Sequence, residues 1–153
     1  MNPAHPDTLR AHADMAAELD FTDRRDFDDA ERGFIATLPD AHIEADAGGV
    51  SWSLKPYGFL SGPAPQTVNP SLWRMSQLNA IHGLFKVTDR VYQVRGFSLA
   101  NVTFVEGDDG VIVIDPLQFT EHARAAIALY RTHRGPRPVT AVIYTHSHRD
   151  HYG

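Results

Sequence analysis

The chain has 153 residues, 42% of them hydrophobic and 10% aromatic, which suits one domain with a real apolar core. It has no cysteine, so disulfides and thiolate metal sites are excluded, and no apolar run approaches the roughly 18 residues that span a membrane. The net charge of −5 sits at the front: residues 1–46 hold twelve acidic and four basic side chains, while the rest holds seven acidic and ten basic. The acidic front reads as a solvated face, and no basic stripe supports nucleic-acid binding.

Residues 1–25 are polar and Ala-rich, weakly helical, and expected to be frayed or disordered. They contain no apolar leader, which makes a cytoplasmic location the expectation. Residues 26–33 carry a short helix stopped at Gly33, and Leu38-Pro39-Asp40 turns the chain. From Gly48 to Pro70 the chain is rich in Gly, Pro and Ser, interleaved with Trp52, Tyr57 and Phe59, and reads as a surface loop pinned by its aromatics. Residues 70–79 form a helix with Leu72, Trp73, Met75 and Leu78 on its apolar face.

The second half is more regular. Residues 91–95 alternate as a strand should, and strands 101–106 and 111–115 flank Gly107-Asp-Asp-Gly110, a hairpin signal. The second of these is apolar on both faces, as in a central strand. Residues 120–134 are helical, with Thr120 as N-cap, Glu121 in the first turn and Gly135-Pro136 as the stop. Ala123, Ala126, Ile127 and Tyr130 fall at i, i+3, i+4, i+7 and face the sheet. The apolar run 139–144 then reads as a buried strand. The order β-β-β-α-β gives an α+β fold with a mixed sheet and a crossover helix.

The chain ends on His146-Ser-His148-Arg-Asp150-His151-Tyr-Gly153. Imidazole and carboxylate without thiolate suit zinc, iron or manganese. In extended chain His146 and His148 leave the same side of the backbone, Asp150 continues the alternation, and a turn lets His151 point elsewhere. One strip of loop can so serve two neighbouring metals, which lower the pKa of water to about 7. The alternative is a solvated histidine-rich tail. The chain has nine histidines, and His5, His12, His42, His82, His122 and His133 are read as that ordinary scatter. Asp115 stands where a buried strand runs out, on the rim that carries the metal loop. It either hydrogen-bonds that loop or makes a local turn contact.

A hairpin, a strand ending in aspartate, a helix, and a strand entering H-x-H-x-D-H resemble the first half of the metallo-β-lactamase fold. The resemblance implies that His146 and His148 hold one metal, Asp150 and His151 the second, and that Asp115 supports the loop from behind. Of the set, Asp150 is given the catalytic role. Asp28-Asp-Ala-Glu-Arg-Gly-Phe-Ile35, Thr67-Val-Asn-Pro-Ser-Leu-Trp-Arg74, Gln77-Leu-Asn-Ala-Ile-His-Gly-Leu-Phe85, Tyr92-Gln-Val-Arg-Gly-Phe97 and Thr145-His-Ser-His148 look like the alkyl sulfatases of that superfamily. That resemblance implies a binuclear zinc centre, hydrolysis of dodecyl sulfate-like surfactants to fatty alcohol and inorganic sulfate, and a homodimer for the full-length protein. It also implies residues 26–85 as a family-specific segment wrapping the catalytic domain and residues 86–153 as the incomplete first half of an αββα sandwich. Ser98 and Ala100 stand where the family leads one to expect Asp and Ser, and Arg149 where a small apolar residue is usual. The later ligands, the sulfate-binding residues and two further domains lie beyond this sequence, and some family members are exported. The isolated chain is therefore expected to be inactive. Two alternatives stay open: another hydrolase of the superfamily (thioesterase, lactonase or lactamase), or a non-catalytic remnant.

Overall fold

The computed structural model describes residues 3–153. Its centre is a six-stranded sheet in the order β1-β4-β5-β6-β7-β8. The strands are β1 (Phe34–Ala36), β4 (Gly83–Thr88), β5 (Val91–Arg95), β6 (Val102–Glu106), β7 (Val111–Ile114) and β8 (Val139–Ile143). Strands β2 (Ile43–Glu44) and β3 (Val50–Trp52) form a separate antiparallel pair. Helices α1 (Pro6–Glu18), α2 (Arg25–Glu31), α3 (Pro70–Asn79) and α4 (Thr120–Arg134) complete the fold. The sheet is antiparallel from β1 to β7, whereas β7 and β8 run parallel. A parallel pair needs a long crossover, and α4 supplies it.

Strand alternation builds the core. Tyr92 and Val94, Val102 and Phe104, and Val111 and Val113 are all buried, while the residues between them are only partly covered. Register places these pairs side by side across the three strands, beneath α4. The helix answers with Ala126, Leu129 and Tyr130; the fully buried Tyr130 ring stacks on Phe104 at 4.4 Å and meets Tyr92 edge-on at 6.1 Å. Each such aromatic pair contributes about 1 kcal/mol beyond its buried area. Ala41 and Ile43 extend the core under the β2–β3 pair.

Several sequence expectations are corrected. Residues 6–18, read as weakly helical and frayed or disordered, form a regular helix, and α1 buries no side chain among the described residues. It rests on the remainder through His12 Nδ1 at 3.0 Å from the Gln66 carbonyl and Ser71 Oγ at 3.2 Å from Met15 Sδ. Met1 and Asn2 lie outside the described residues. The 48–70 segment contains a strand, and Trp52 is the aromatic that ties it to the sheet, donating to the Gly96 carbonyl at 2.7 Å. Tyr57 and Phe59 stay exposed. On α3 only Trp73 is buried. Phe119, not Thr120, occupies the N-cap of α4, and the buried stripe is His122, Ala126, Leu129 and Tyr130. That stripe is also helical spacing (i, i+4, i+7, i+8), rotated one residue from the one expected.

The largest correction concerns β8. All five of its residues are exposed, and no strand among the described residues pairs with its far side. Val142 projects toward the α4 face and Ile143 toward the opposite one, each 46% exposed. That opposite face is thinly covered near this edge, where Ile112 and Ile114 are only partly buried. A continuous apolar run is the signature of a strand buried on both faces, and here neither face is closed.

One buried ion network locks α4 to the sheet. Glu106, nearly inaccessible, accepts hydrogen bonds from Tyr130 Oη (3.0 Å) and from Arg134 Nε and Nη2 (3.0 and 3.1 Å). The Arg134 guanidinium holds the Glu106 carboxyl below its ordinary value against the upward push of burial. Glu106→Ala is expected to lower stability by about 2 kcal/mol, read from the urea unfolding midpoint. Because the folded pKa is depressed, the carboxylate's contribution is present above pH 4.5 and is lost as the pH falls through the folded value. The wild-type minus Glu106→Ala difference should shrink over that acid range.

Candidate metal centre

The loop after β8 is anchored to the end of its parallel neighbour β7. The Asp115 N–H donates to the Ile143 carbonyl at 3.0 Å, continuing the ladder by one residue. The Asp115 carboxylate then accepts from the Thr145 N–H at 2.8 Å and the Thr145 hydroxyl at 2.7 Å. His151 Nδ1 lies 3.0 Å from Asp115 Oδ2, although it is not aligned as a hydrogen bond and has no other polar partner. Burial pushes the Asp115 carboxyl up, but the two Thr145 donors and His151 outweigh it and hold the group below its ordinary value.

The chain earns this grip through backbone strain. Asp115 and Leu117 both have positive φ, 54° and 67°, on either side of Pro116. Side chains at such φ cost of order 1 kcal/mol each, so tertiary contacts must impose them. The fully buried Leu117 side chain anchors the bend, and its carbonyl accepts from the Gly153 N–H at 2.8 Å. A Cβ on Gly153 would lie 2.4 Å from the Phe119 nitrogen, so only glycine lets the chain come this close. The strap 115–119 thus holds both ends of the histidine loop.

Between those ends a hydrogen-bond chain orients the imidazoles. With its proton given to Asp115, the Thr145 hydroxyl accepts from His146 Nδ1 at 2.9 Å. That order of donation selects the Nδ1–H tautomer of His146 and leaves a lone pair on Nε2, which faces His148 Nδ1 at 3.1 Å. A one-turn helix over Arg149–His151 swings His151 back, so its ring centre comes within 4.0 Å of His146. Asp150 Oδ2 lies 3.4 Å from His151 Nε2. The structure therefore gathers His146, His148, Asp150 and His151 in one neighbourhood, with Asp115 behind them. Among the described residues, however, no group of three or more His, Asp or Glu side chains is arranged to hold a metal ion. The imidazoles instead contact one another.

The donor set itself suits a borderline dication. It offers three imidazoles and a carboxylate, one imidazole oriented through a hydroxyl by a buried carboxylate, and one ring nitrogen left without an aligned partner. Tyr144, His146, Ser147 and Tyr152 line an open cleft beside it, with the two tyrosine rings edge-to-face at 6.3 Å.

The profile of the metallo-beta-lactamase superfamily matches residues 95–153, the stretch that contains Asp115 and the whole loop. The solved structure of the stereoselective inverting sec-alkylsulfatase Pisa1 from Pseudomonas sp. superposes with a TM-score of 0.91 at 47% identity, over 99% of this chain and 24% of that one. Over nearly its whole length the chain is homologous to one part of the alkylsulfatases, within the metallo-β-lactamase superfamily. An alkyl/aryl-sulfatase of Saccharomyces cerevisiae, BDS1, is 56% identical over 97% of this chain and 23% of its own length. A linear primary-alkylsulfatase of Pseudomonas sp. is 52% identical over 99% of this chain and 23% of its own. The chain spans about a quarter of the length of these alkylsulfatases. The mixed sheet with its crossover helix is a partial domain of their fold, as the resemblance implied.

Sequence reasoning missed His122, which it grouped with the scattered solvent histidines. It is fully buried, with ring nitrogens 3.0 Å from Ser51 Oγ and 3.1 Å from Ser98 Oγ. Its helical spacing to Ala126, Leu129 and Tyr130 was the available signal. Asp115→Ala removes both acceptors of Thr145 and is expected to cost about 2 kcal/mol in unfolding free energy. Amide exchange at Thr145 should accelerate by more than that at β5 and β6, and equal acceleration everywhere would contradict a local anchor.

Proposed function

We propose that this chain is the metal-loop part of an alkylsulfatase-type hydrolase. The reaction is cleavage of an alkyl sulfate ester of the dodecyl sulfate type by water, giving the fatty alcohol and inorganic sulfate. What supports the reading is that relatives named as alkylsulfatases match the chain almost end to end at 47–56% identity, loop included. The loop's donor chemistry supports it independently.

In this proposal His146 and His148 hold one zinc ion and Asp150 and His151 a second, with Asp150 closest to the chemistry. Zinc, when bound, supplies Lewis acidity that makes water nucleophilic near neutral pH and offsets negative charge on a departing sulfate. The chain's own residues hold the ligands. Asp115 fixes Thr145, Thr145 fixes the His146 tautomer, and the Leu117 carbonyl and Phe119 backbone fix the loop's far end. The exposed Tyr144 and Tyr152 rings flank the cleft and give it an apolar wall suited to an alkyl chain. The homodimer, the cytoplasmic location, and the division into a wrapping segment (26–85) and a catalytic half-domain (86–153) belong to the same proposal. Among the described residues no helix is long and apolar enough to cross a membrane.

A second reading is favoured by the open β8 edge and the thinly covered sheet face: by itself, this chain is a non-catalytic piece. Both readings meet in one experiment. The isolated chain is expected to release no sulfate from sodium dodecyl sulfate. Grafted in place of the matching quarter of the Pseudomonas linear primary-alkylsulfatase, it is expected to sustain sulfate release, and His148→Ala in that chimera to lower kcat at least about 10³-fold. A folded chimera inactive on every alkyl sulfate, but active on a thioester, lactone or β-lactam, would move the assignment elsewhere in the superfamily.

A further inference from the structure

We infer that His122 is a positioning residue for the metal loop, coupling strand β3 and the turn after β5 to the strap that carries the loop. The inference rests on the metal-loop reading above, and its test separates the two.

His122 sits in the first turn of α4 with no solvent exposure, 24 residues from the first loop histidine in sequence. Its two nitrogens face opposite directions and each meets a hydroxyl: Nε2 that of Ser51 on β3, Nδ1 that of buried Ser98 in the turn after β5. Hydroxyls both donate and accept, so either neutral tautomer satisfies both contacts. Burial disfavours the charged imidazole and lowers its pKa, which keeps the ring neutral near pH 7. The ring also packs edge-on against Trp52 at 5.8 Å and perpendicular to Phe119 at 5.2 Å. An imidazole can bridge two separated hydroxyls through a flat ring while filling an aromatic slot.

Phe119 is what makes this relevant to function. The Arg149 guanidinium, from the middle of the H-x-H-x-D-H loop, lies 5.1 Å over its ring. The Gly153 backbone is pressed against its main chain. Phe119 is thus a shelf under the loop, and His122 is the edge contact that sets the tilt of that shelf. The other ties between α4 and the β2–β3 turn are exposed: Arg124 pairs with Asp46 at 2.7 and 3.0 Å, and Glu121 accepts from the Asp46 N–H at 3.2 Å. Exposed pairs of this kind fix geometry weakly, so the buried bridge carries the positioning.

Zinc affinity of the full 153-residue chain at pH 7.5, measured by competition with a chromophoric chelator, tests the inference together with NMR resonances of residues 145–153. His122→Phe keeps the aromatic packing and removes both hydrogen bonds. It is expected to weaken zinc binding about tenfold and to shift the loop resonances in metal-free protein. Ser51→Ala, which touches no loop residue, should shift the same resonances in the same direction, while Ser51→Thr restores the wild-type positions. Ser51→Ala should add nothing once residue 122 is phenylalanine. A merely structural role predicts lower stability with loop resonances and zinc affinity unmoved. A cooperatively folded His122→Phe chain with zinc affinity within about twofold of wild type and unshifted loop resonances overturns the inference. If that variant does not fold, the Ser51→Ala resonances decide it. A wild-type chain that binds no zinc counts against the metal reading, and the metal-free resonances still decide the role of His122.

Discussion

Everything at the functional end of this protein depends on the Asp115 carboxylate. It terminates β7, receives two hydrogen bonds from Thr145 at the end of β8, and lies against His151 as the loop returns. One buried charge thereby joins the two parallel strands, the first imidazole and the last. The cost is real: a buried carboxylate and a left-handed backbone at two neighbouring non-glycine residues. The two Thr145 donors, the adjacent His151 ring and the buried Leu117 side chain offset it. A preorganised carboxylate-to-hydroxyl-to-imidazole chain is also how a protein presents a chosen histidine lone pair to a cation.

The sheet supports that arrangement unevenly. From β4 to β7 the α4 face is a dry aromatic and aliphatic core, locked by Glu106 with Tyr130 and Arg134. At β8 the cover stops, and the strand that delivers the metal loop has both faces and one edge exposed. Hydrophobic run and exposed edge conflict, because Val139, Val142 and Ile143 lose the burial that would justify their composition. The same imbalance fits a chain that spans about a quarter of the alkylsulfatases it matches.

How legible the site was depended on the range of the interactions. His146, His148, Asp150 and His151 fall within six residues, so their spacing alone marks a candidate metal loop. Asp115 was half legible, since its place at a strand end implied the right rim but not the Thr145 contacts. The buried bridge of His122 was illegible, because its partners Ser51 and Ser98 are 71 and 24 residues distant. Strands β1 to β4 went unread because they are short or lie beside glycines and prolines, and β1 exists only through pairing with β4.

The sequence by itself determined the regular elements of the second half, the α4 helix and the ligand chemistry of the loop, because those follow from local periodicity, turn residues and side-chain type. Tertiary structure decided which apolar strand is central and which is edge, since hydrophobicity specifies a need for burial but not what supplies it. It also decided that the Asp115 carboxylate reaches the backbone N–H and hydroxyl of Thr145, 30 residues away, and through that hydroxyl the neighbouring His146 ring. Those contacts depend on distances of about 3 Å between residues that only the folded sheet brings together.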